Sequence, residues 1–355
     1  MKLQVYVLRQ LVVSLAFSVG GMMLVALPGI AVRTAHEIPS AGAHHLIQFL
    51  AISLQNLVPY VLPICFLLAT VSTYGRLAAD KEWIAIQMAG VRPSRLLIPS
   101  LTVGAVLGVG TLMLLANVLP GGKSRQRELV IEATSDALAN LGSGGTSLSF
   151  GDGKIVLEAL TFDETTGLLH EVFLRNGHGA GGTDYHADAA RIEIVDSVLH
   201  ADLYDLFVVE RTADGLNHWE TAHLEVHRTL EKDKRSVRPR YLTTGGIKRG
   251  LERGIFSERK TAHYRFEIQY RRALAAVFLV FALLGPATGL LARRGTQLGA
   301  MAICSAYALL HHLLQMQVAK DLGTSGTWPP AVAAWSPIAL GAVASFLVLR
   351  KALRR

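Results

Sequence analysis

Charged residues are absent from six long stretches of the chain: 10 to 32, 46 to 75, 96 to 122, 273 to 292, 295 to 319 and 322 to 349. A helix that crosses a bilayer's hydrocarbon core needs about 20 apolar residues, and each stretch reaches that length. The pattern predicts a polytopic α-helical membrane protein with six transmembrane helices. A polar segment, 123 to 272, separates the third stretch from the fourth and is long enough to form its own domain. The expected plan is therefore three helices over 1–122, an inserted domain over 123–272, and three helices over 273–355.

Within the inserted segment, from 147 to 227, short runs alternate with period two. Examples are Arg191-Ile192-Glu193-Ile194, Leu206-Phe207-Val208-Val209 and His223-Leu224-Glu225-Val226. Turn signals at Gly151-Asp152-Gly153, Asn176-Gly177 and Asp214-Gly215 separate them, and tracts 142–145 and 177–182 read as glycine-rich loops. An antiparallel β domain follows. From about 245 to 272 the sequence becomes basic and helical, with Leu251, Ile255, Phe266, Ile268 and Tyr270 scattered among charges. Lacking a clear apolar face, it is expected to return to the membrane as a solvated helix or helical pair.

Charge then sets the orientation. The net charge of +8 suggests a nucleic-acid partner until it is sorted by segment: 123–272 holds 21 Lys+Arg against 23 Asp+Glu, leaving 14 against 4 elsewhere. Lys2, Arg9, Arg76, Lys81, Arg92, Arg95, Arg293, Arg294, Arg350, Lys351, Arg354 and Arg355 share one side if the spans alternate. By the positive-inside bias that side is cytoplasmic, with both termini inside and the inserted domain outside. Arg265, Arg271 and Arg272 run against this trend. The first stretch is too long for a signal-peptide core and is expected to stay as a helix. Cys65 and Cys304 both sit in apolar stretches, so no disulfide framework is expected.

Candidate chemistry is sparse. Thirteen histidines invite a metal, but His223 and His227 would stand about 13 Å apart along one strand face. His311-His312, inside the fifth stretch, is expected to supply a neutral histidine bonded to a neighbouring helix. No GxSxG, HExxH or CxxC motif is present, and Gly121-Gly122-Lys123-Ser124 is a false Walker A ending, since Asn117 stands where the first glycine belongs.

The turn between the second and third stretches carries more information. From Tyr74 to Val91 it is a helix-forming run that ends at Gly90, a C-cap residue. Asp80 and Glu82 are its acids, and Leu77, Trp83, Ile84 and Met88 give it an apolar surface. Such a helix over about 76–90 can lie on lipid or plug into a cytoplasmic motor.

Taken together, the three-domain-three plan, Gly75-Arg76-Leu77 through Asp80-Lys81-Glu82 to Ala89-Gly90-Val91, and Pro329-Pro330 followed by Ala334-Trp335-Ser336-Pro337 resemble the LptF/LptG (YjgP/YjgQ) permease family. The chain departs from the family's ending at Ile338, where Asn is common. The resemblance implies an inner-membrane subunit that pairs with a second permease, engages an ABC ATPase dimer in the cytoplasm, and extracts lipopolysaccharide. It also implies a periplasmic β-jellyroll-like domain that hands the lipid to a bridge protein by strand pairing. ATP is used by the partner, and no cofactor is expected on this chain. The family's acidic coupling position falls on Glu82, with Asp80, Arg76 and Trp83 beside it. Its basic position falls on Arg33, facing lipid phosphates, and Arg271 and Arg272 are expected to extend that anionic headgroup site. Acyl chains would enter between helices one and five of the paired subunits, where Gly20, Gly21 and Gly299 permit close approach.

Three other readings compete. A mechanotransmission ABC permease of the lipoprotein type commonly has four spans, a membrane sensor with a ligand-binding outer domain calls for a cytoplasmic signalling domain, and an intramembrane lipid-modifying enzyme needs clustered ionisable residues within the helices, where only His311 and His312 are available.

Overall fold

The computed structural model describes residues 2–37, 43–140, 148–150, 155–163, 166, 168–176, 183–195, 198–212, 215–229, 239–291 and 297–354. The tracts 142–145 and 177–182, the turn at 151–153, Asp214 and Arg293-Arg294 lie outside these residues. Among the described residues six helical segments are long and apolar enough to cross a membrane: Lys2–Ala35, Ala43–Ala79, Pro93–Val130, Lys260–Leu291, Leu298–Thr324 and Pro330–Leu353. An antiparallel sheet is inserted between the third and fourth, so the expected fold class holds.

The chain divides into two compact units, one of residues 1–27, 54–122 and 238–355, the other of 28–53 and 123–237. In the first, helix α7 (Glu258–Leu291) is the most enclosed. Around it lie α2 (Ala43–Ala79), α4 (Ile98–Met113) and α10 (Pro330–Leu353). Lipid-facing helices gain little from apolar burial against one another, so close packing and shared hydrogen bonds must hold them. Small residues provide both. A Cβ on Gly289 would stand 2.8 Å from the Gly75 nitrogen and the Val71 oxygen, and one on Gly285 would collide with Thr70. From α4, a Cβ on Gly108 would meet the Ala275 oxygen at 2.9 Å. Ser100 of α4 donates to the Ala282 carbonyl at 2.9 Å, and Ser345 of α10 donates to Val280 at 3.3 Å.

Two helices carry a single π turn. One, Leu114–Val118, joins α4 to α5 (Leu119–Asn140); the other, Leu314–Val318, joins α8 (Gln297–Leu313) to α9 (Ala319–Thr324). Residues 121–124 lie inside α5 as continuous helix, unlike a phosphate-cradling loop.

The returning segment differs from the solvated stalk expected of it. It is a helical pair, α6 (Thr244–Glu252) followed by α7, and it belongs to the first unit. Ile247, Tyr264 and Ile268 are buried together with Leu242, Leu251 and Phe256 against them, and Phe256 stacks on Tyr264 at 3.7 Å. The apolar face is split between two helices, which hides its periodicity in the linear sequence.

The second unit contains an up-and-down sheet: β1 (Leu148–Phe150), β2 (Ile155–Asp163), β3 (Leu168–Asn176), β4 (Thr183–Val195), β5 (Val198–Thr212) and β6 (Gly215–Thr229), paired in chain order. One position on each of β2 to β6 drops out of the ladder: Leu160, Glu171, Asp188, Asp205 and Ala222. All five are exposed, and Glu171 and Asp205 have positive φ, 53° and 48°. The inward alternation changes phase along this line, from Ala201 and Leu203 to Leu206 and Val208 on β5, and from Leu169 to Val172 and Leu174 on β3. Leu169, Val172, Leu174, Leu203, Leu206 and Val208, with Ala159, Ala187 and Ala190, form one apolar cluster. Irregularities of this kind re-aim side chains and bend strands.

Gly289→Ala places a methyl group against backbone atoms that cannot rotate away. It is expected to destabilise the folded protein by about 1–3 kcal/mol. Gly110→Ala, which meets nothing within 4 Å, is expected to leave the thermal midpoint in detergent unchanged. Equal midpoints for the two variants would refute the close-packing account.

Candidate functional site

The run 76–90 is not one helix. α2 ends at Ala79, and Lys81 adopts the left-handed conformation (φ 59°). A second helix, α3, then spans Glu82–Met88. It closes as expected at Gly90, where φ is 75°, the Gly90 N–H donates to Gln87 at 3.0 Å and the Val91 N–H to Ile86 at 3.3 Å. This is the double closure of a Schellman end. The break at Lys81 turns α3 away from the line of α2, and so the apolar surface expected of a single helix is divided.

Half of that surface is an anchor. Trp83 is 3 % exposed and Leu77 is 2 %, packed with Val7, Tyr74, Ala78, Leu96, Ala287, Leu290 and Ala352. The Tyr74 hydroxyl, itself buried, donates to the Leu96 carbonyl and ties α2 to the turn that opens α4. The other half faces out: Ile84 is 45 % exposed and Met88, one turn later, 84 %. Arg76 and Asp80 are exposed beside it. The Glu82 carboxylate is steered from α1 (Lys2–Glu37), whose Tyr6 hydroxyl stands 3.2 Å from each carboxylate oxygen. Nothing in the sequence signalled that contact, because the two residues are 76 positions apart.

The expected basic site divides differently. Arg271 is 2 % exposed, and its guanidinium is engaged within the protein. Nε donates to Glu267 at 3.0 Å, one terminal nitrogen to Thr244 at 3.0 Å, and the other to the carbonyls of Pro239 and Leu242 at 3.1 and 3.0 Å. It staples the turn before α6 onto α7, a task suited to a planar fork of donors. That accounts for a cation on the unfavoured side and corrects its expected role as a headgroup ligand. Arg272, the next residue, is exposed. Arg33 lies on α1 and belongs to the second unit, whereas Arg271 and Arg272 belong to the first.

The histidine pair lies at the end of α8. His311 is buried, and its Nε2 has no hydrogen-bond partner among the described residues. Rings surround it instead, with Phe281 at 5.6 Å and Tyr307 at 6.0 Å; His312 meets Tyr60 at 6.0 Å. Gln315, in the π turn below, donates to the Ala334 carbonyl at 3.3 Å. Gly20 and Gly21 have open space where a Cβ would stand, and Gly299 is exposed, so the close approaches inside this chain use other glycines.

A family model described as "Lipopolysaccharide export system permease LptF/LptG" matches residues 5–351, nearly the whole chain, and the chain belongs to that family. A comparison with curated proteins finds no match.

Arg271→Ala strands Glu267 and two backbone carbonyls, and it is expected to cost about 3–5 kcal/mol. Arg271→Lys restores the charge without the fork and is expected to recover only part of that loss, while Arg272→Ala leaves stability unchanged. Thermal melting in detergent measures all three, and an Arg271→Ala protein as stable as its parent would remove the staple.

Proposed function

We propose that this permease subunit works as one half of an ABC-type lipopolysaccharide exporter in the bacterial inner membrane. It pairs with a second LptF/LptG-type subunit and is driven by a cytoplasmic ATPase dimer that binds and hydrolyses the ATP. In this reading both termini and α3 are cytoplasmic and the β domain is periplasmic. The chain supplies no cofactor and contacts no nucleic acid.

The observation that carries the reading is the two-sided construction of α3. A helix that transmits force must be held firmly on one side and open on the other. Trp83 supplies the hold, while Ile84, Met88 and the half-exposed Glu82 remain for a partner. Asp80 and Arg76 give that surface a charged rim, which favours correct encounter more than affinity. A push on α3 reaches Ala287 and Leu290 of α7 through Trp83's own cluster.

The lipid path rests on exposed apolar faces. On α1, Phe17, Leu24 and Val25 are exposed, and on α8 so are Ile303, Leu309 and Leu310. Between paired subunits these faces would hold acyl chains, with Gly20 and Gly21 leaving room for a neighbouring helix. Exposing acyl chains to water costs about 0.8 kcal/mol per methylene, so a continuous apolar route is required. The apolar cluster of the β domain, around Leu203, Leu206 and Val208, supports reception of the chains there. Among the described residues β1 and β6 end the sheet, and a periplasmic bridge would add its strand at such an end. Arg33 and the exposed Arg272 are assigned to headgroup phosphates.

Copurification from detergent with the ATPase tests the reading. The parent is expected to retain it, Glu82→Lys to retain at least about tenfold less, equivalent to about 1.4 kcal/mol of binding energy, and Met88→Asp to behave similarly. Retention unaffected by either substitution, or absent in the parent, would reject α3 as the coupling element.

A further inference from the structure

β5 and β6 run antiparallel with Asp202 directly opposite Glu225 and Tyr204 opposite His223. Directly opposed side chains project from the same face, and so do residues two apart along a strand. Asp202, His223 and Glu225 therefore share one face, the one opposite the apolar cluster to which Leu203 and Leu224 contribute. Their ligand atoms, one nitrogen and two oxygens, lie within 4.8 Å of one another.

We propose that Asp202, His223 and Glu225 form a binding site for a divalent transition-metal ion that fastens β6 to β5. Three features support it. The first is the donor set. An imidazole with two carboxylates suits a borderline ion such as Zn²⁺ better than Ca²⁺ or Mg²⁺, which favour oxygen alone.

The second is electrostatic. Like charges directly opposite on paired strands are destabilising, and a cation between Asp202 and Glu225 reverses the sign of that interaction. The third is positioning. The ligands come from two hydrogen-bonded strands rather than a loop, and the Tyr204 ring lies against His223 with centroids 5.0 Å apart at 31°, restricting the imidazole.

Tetrahedral Zn²⁺ holds its ligand atoms about 3.4 Å apart, given metal–ligand distances near 2.1 Å. Contraction to that separation is within reach of side-chain rotation. His223 and Glu225 are exposed, so water can fill the fourth position. β6 ends the sheet among the described residues, and an ion here would stabilise the strand that has a partner on only one side.

The experiment uses the full-length protein in detergent, stripped with a chelator and titrated calorimetrically with Zn²⁺ alone. One site is expected in the parent. Asp202→Asn, His223→Ala and Glu225→Gln are each expected to weaken it by at least about tenfold. His218→Ala, whose ring lies against Phe207 on the same sheet, should bind as the parent does. Hydrogen exchange of β6 amides should slow on adding Zn²⁺ to the parent, a readout that holds even if a variant folds poorly. Undiminished Zn²⁺ binding in the triple variant, no Zn²⁺-dependent protection of β6 in the parent, or equally tight binding of Ca²⁺ would each overturn the proposal.

Discussion

The close approach of α2 and α4 to the backbone of α7 is the constraint on which the rest of the helical unit depends. With lipid as solvent, apolar side chains gain nothing by choosing one another over acyl chains, so helices stay together where backbones can touch. Gly285 and Gly289 accept α2, Gly104 and Gly108 of α4 accept α7, and Ser100 of α4 and Ser345 of α10 reach backbone carbonyls of α7. The cluster that holds Trp83 includes Ala287 and Leu290, which flank Gly289 on α7. Loosening that seam would leave α3 tethered to helices that no longer move as one body.

Features that depend on the solvent were readable from the sequence. Six charge-free runs gave six spans because a bilayer excludes charge from long segments whatever they pack against, and period-two alternation marked the strands. Features that depend on a partner far along the chain were not. Glu82 is oriented by Tyr6, and His223 finds its neighbours across a strand pair, which spacing along a single strand, as between His223 and His227, does not reveal. The glycines that do the packing look no different in sequence from Gly20 and Gly21, which meet nothing within this chain.

Two features of the fold depart from the sequence pattern for physical reasons. Arg271 was expected to face lipid because it breaks the charge asymmetry of the spans. That rule concerns charges in short exposed connections, and a guanidinium engaged with Glu267, Thr244 and two carbonyls is effectively part of the protein interior. The helix over 76–90 was expected to be continuous because every residue in it tolerates helix. One left-handed residue, Lys81, is enough to divide it, and no propensity scale marks a lysine as a breaker.

That division is what gives the candidate site its character. A continuous helix projecting from α2 would present Leu77, Trp83, Ile84 and Met88 on related faces, and the tryptophan would be spent on a partner or on lipid. With the chain turned at Lys81, Trp83 is buried among Val7, Tyr74 and Leu96 while Ile84 and Met88 point outward. The short helix thus has separate inward and outward surfaces, each too small to be stable alone. A seven-residue helix cannot sustain itself in water, so its order derives from the buried tryptophan. Whatever binds the outer face therefore acts on a structure already coupled to the packing of α7, and mechanical continuity between a bound partner and the membrane helices follows from how α3 is made.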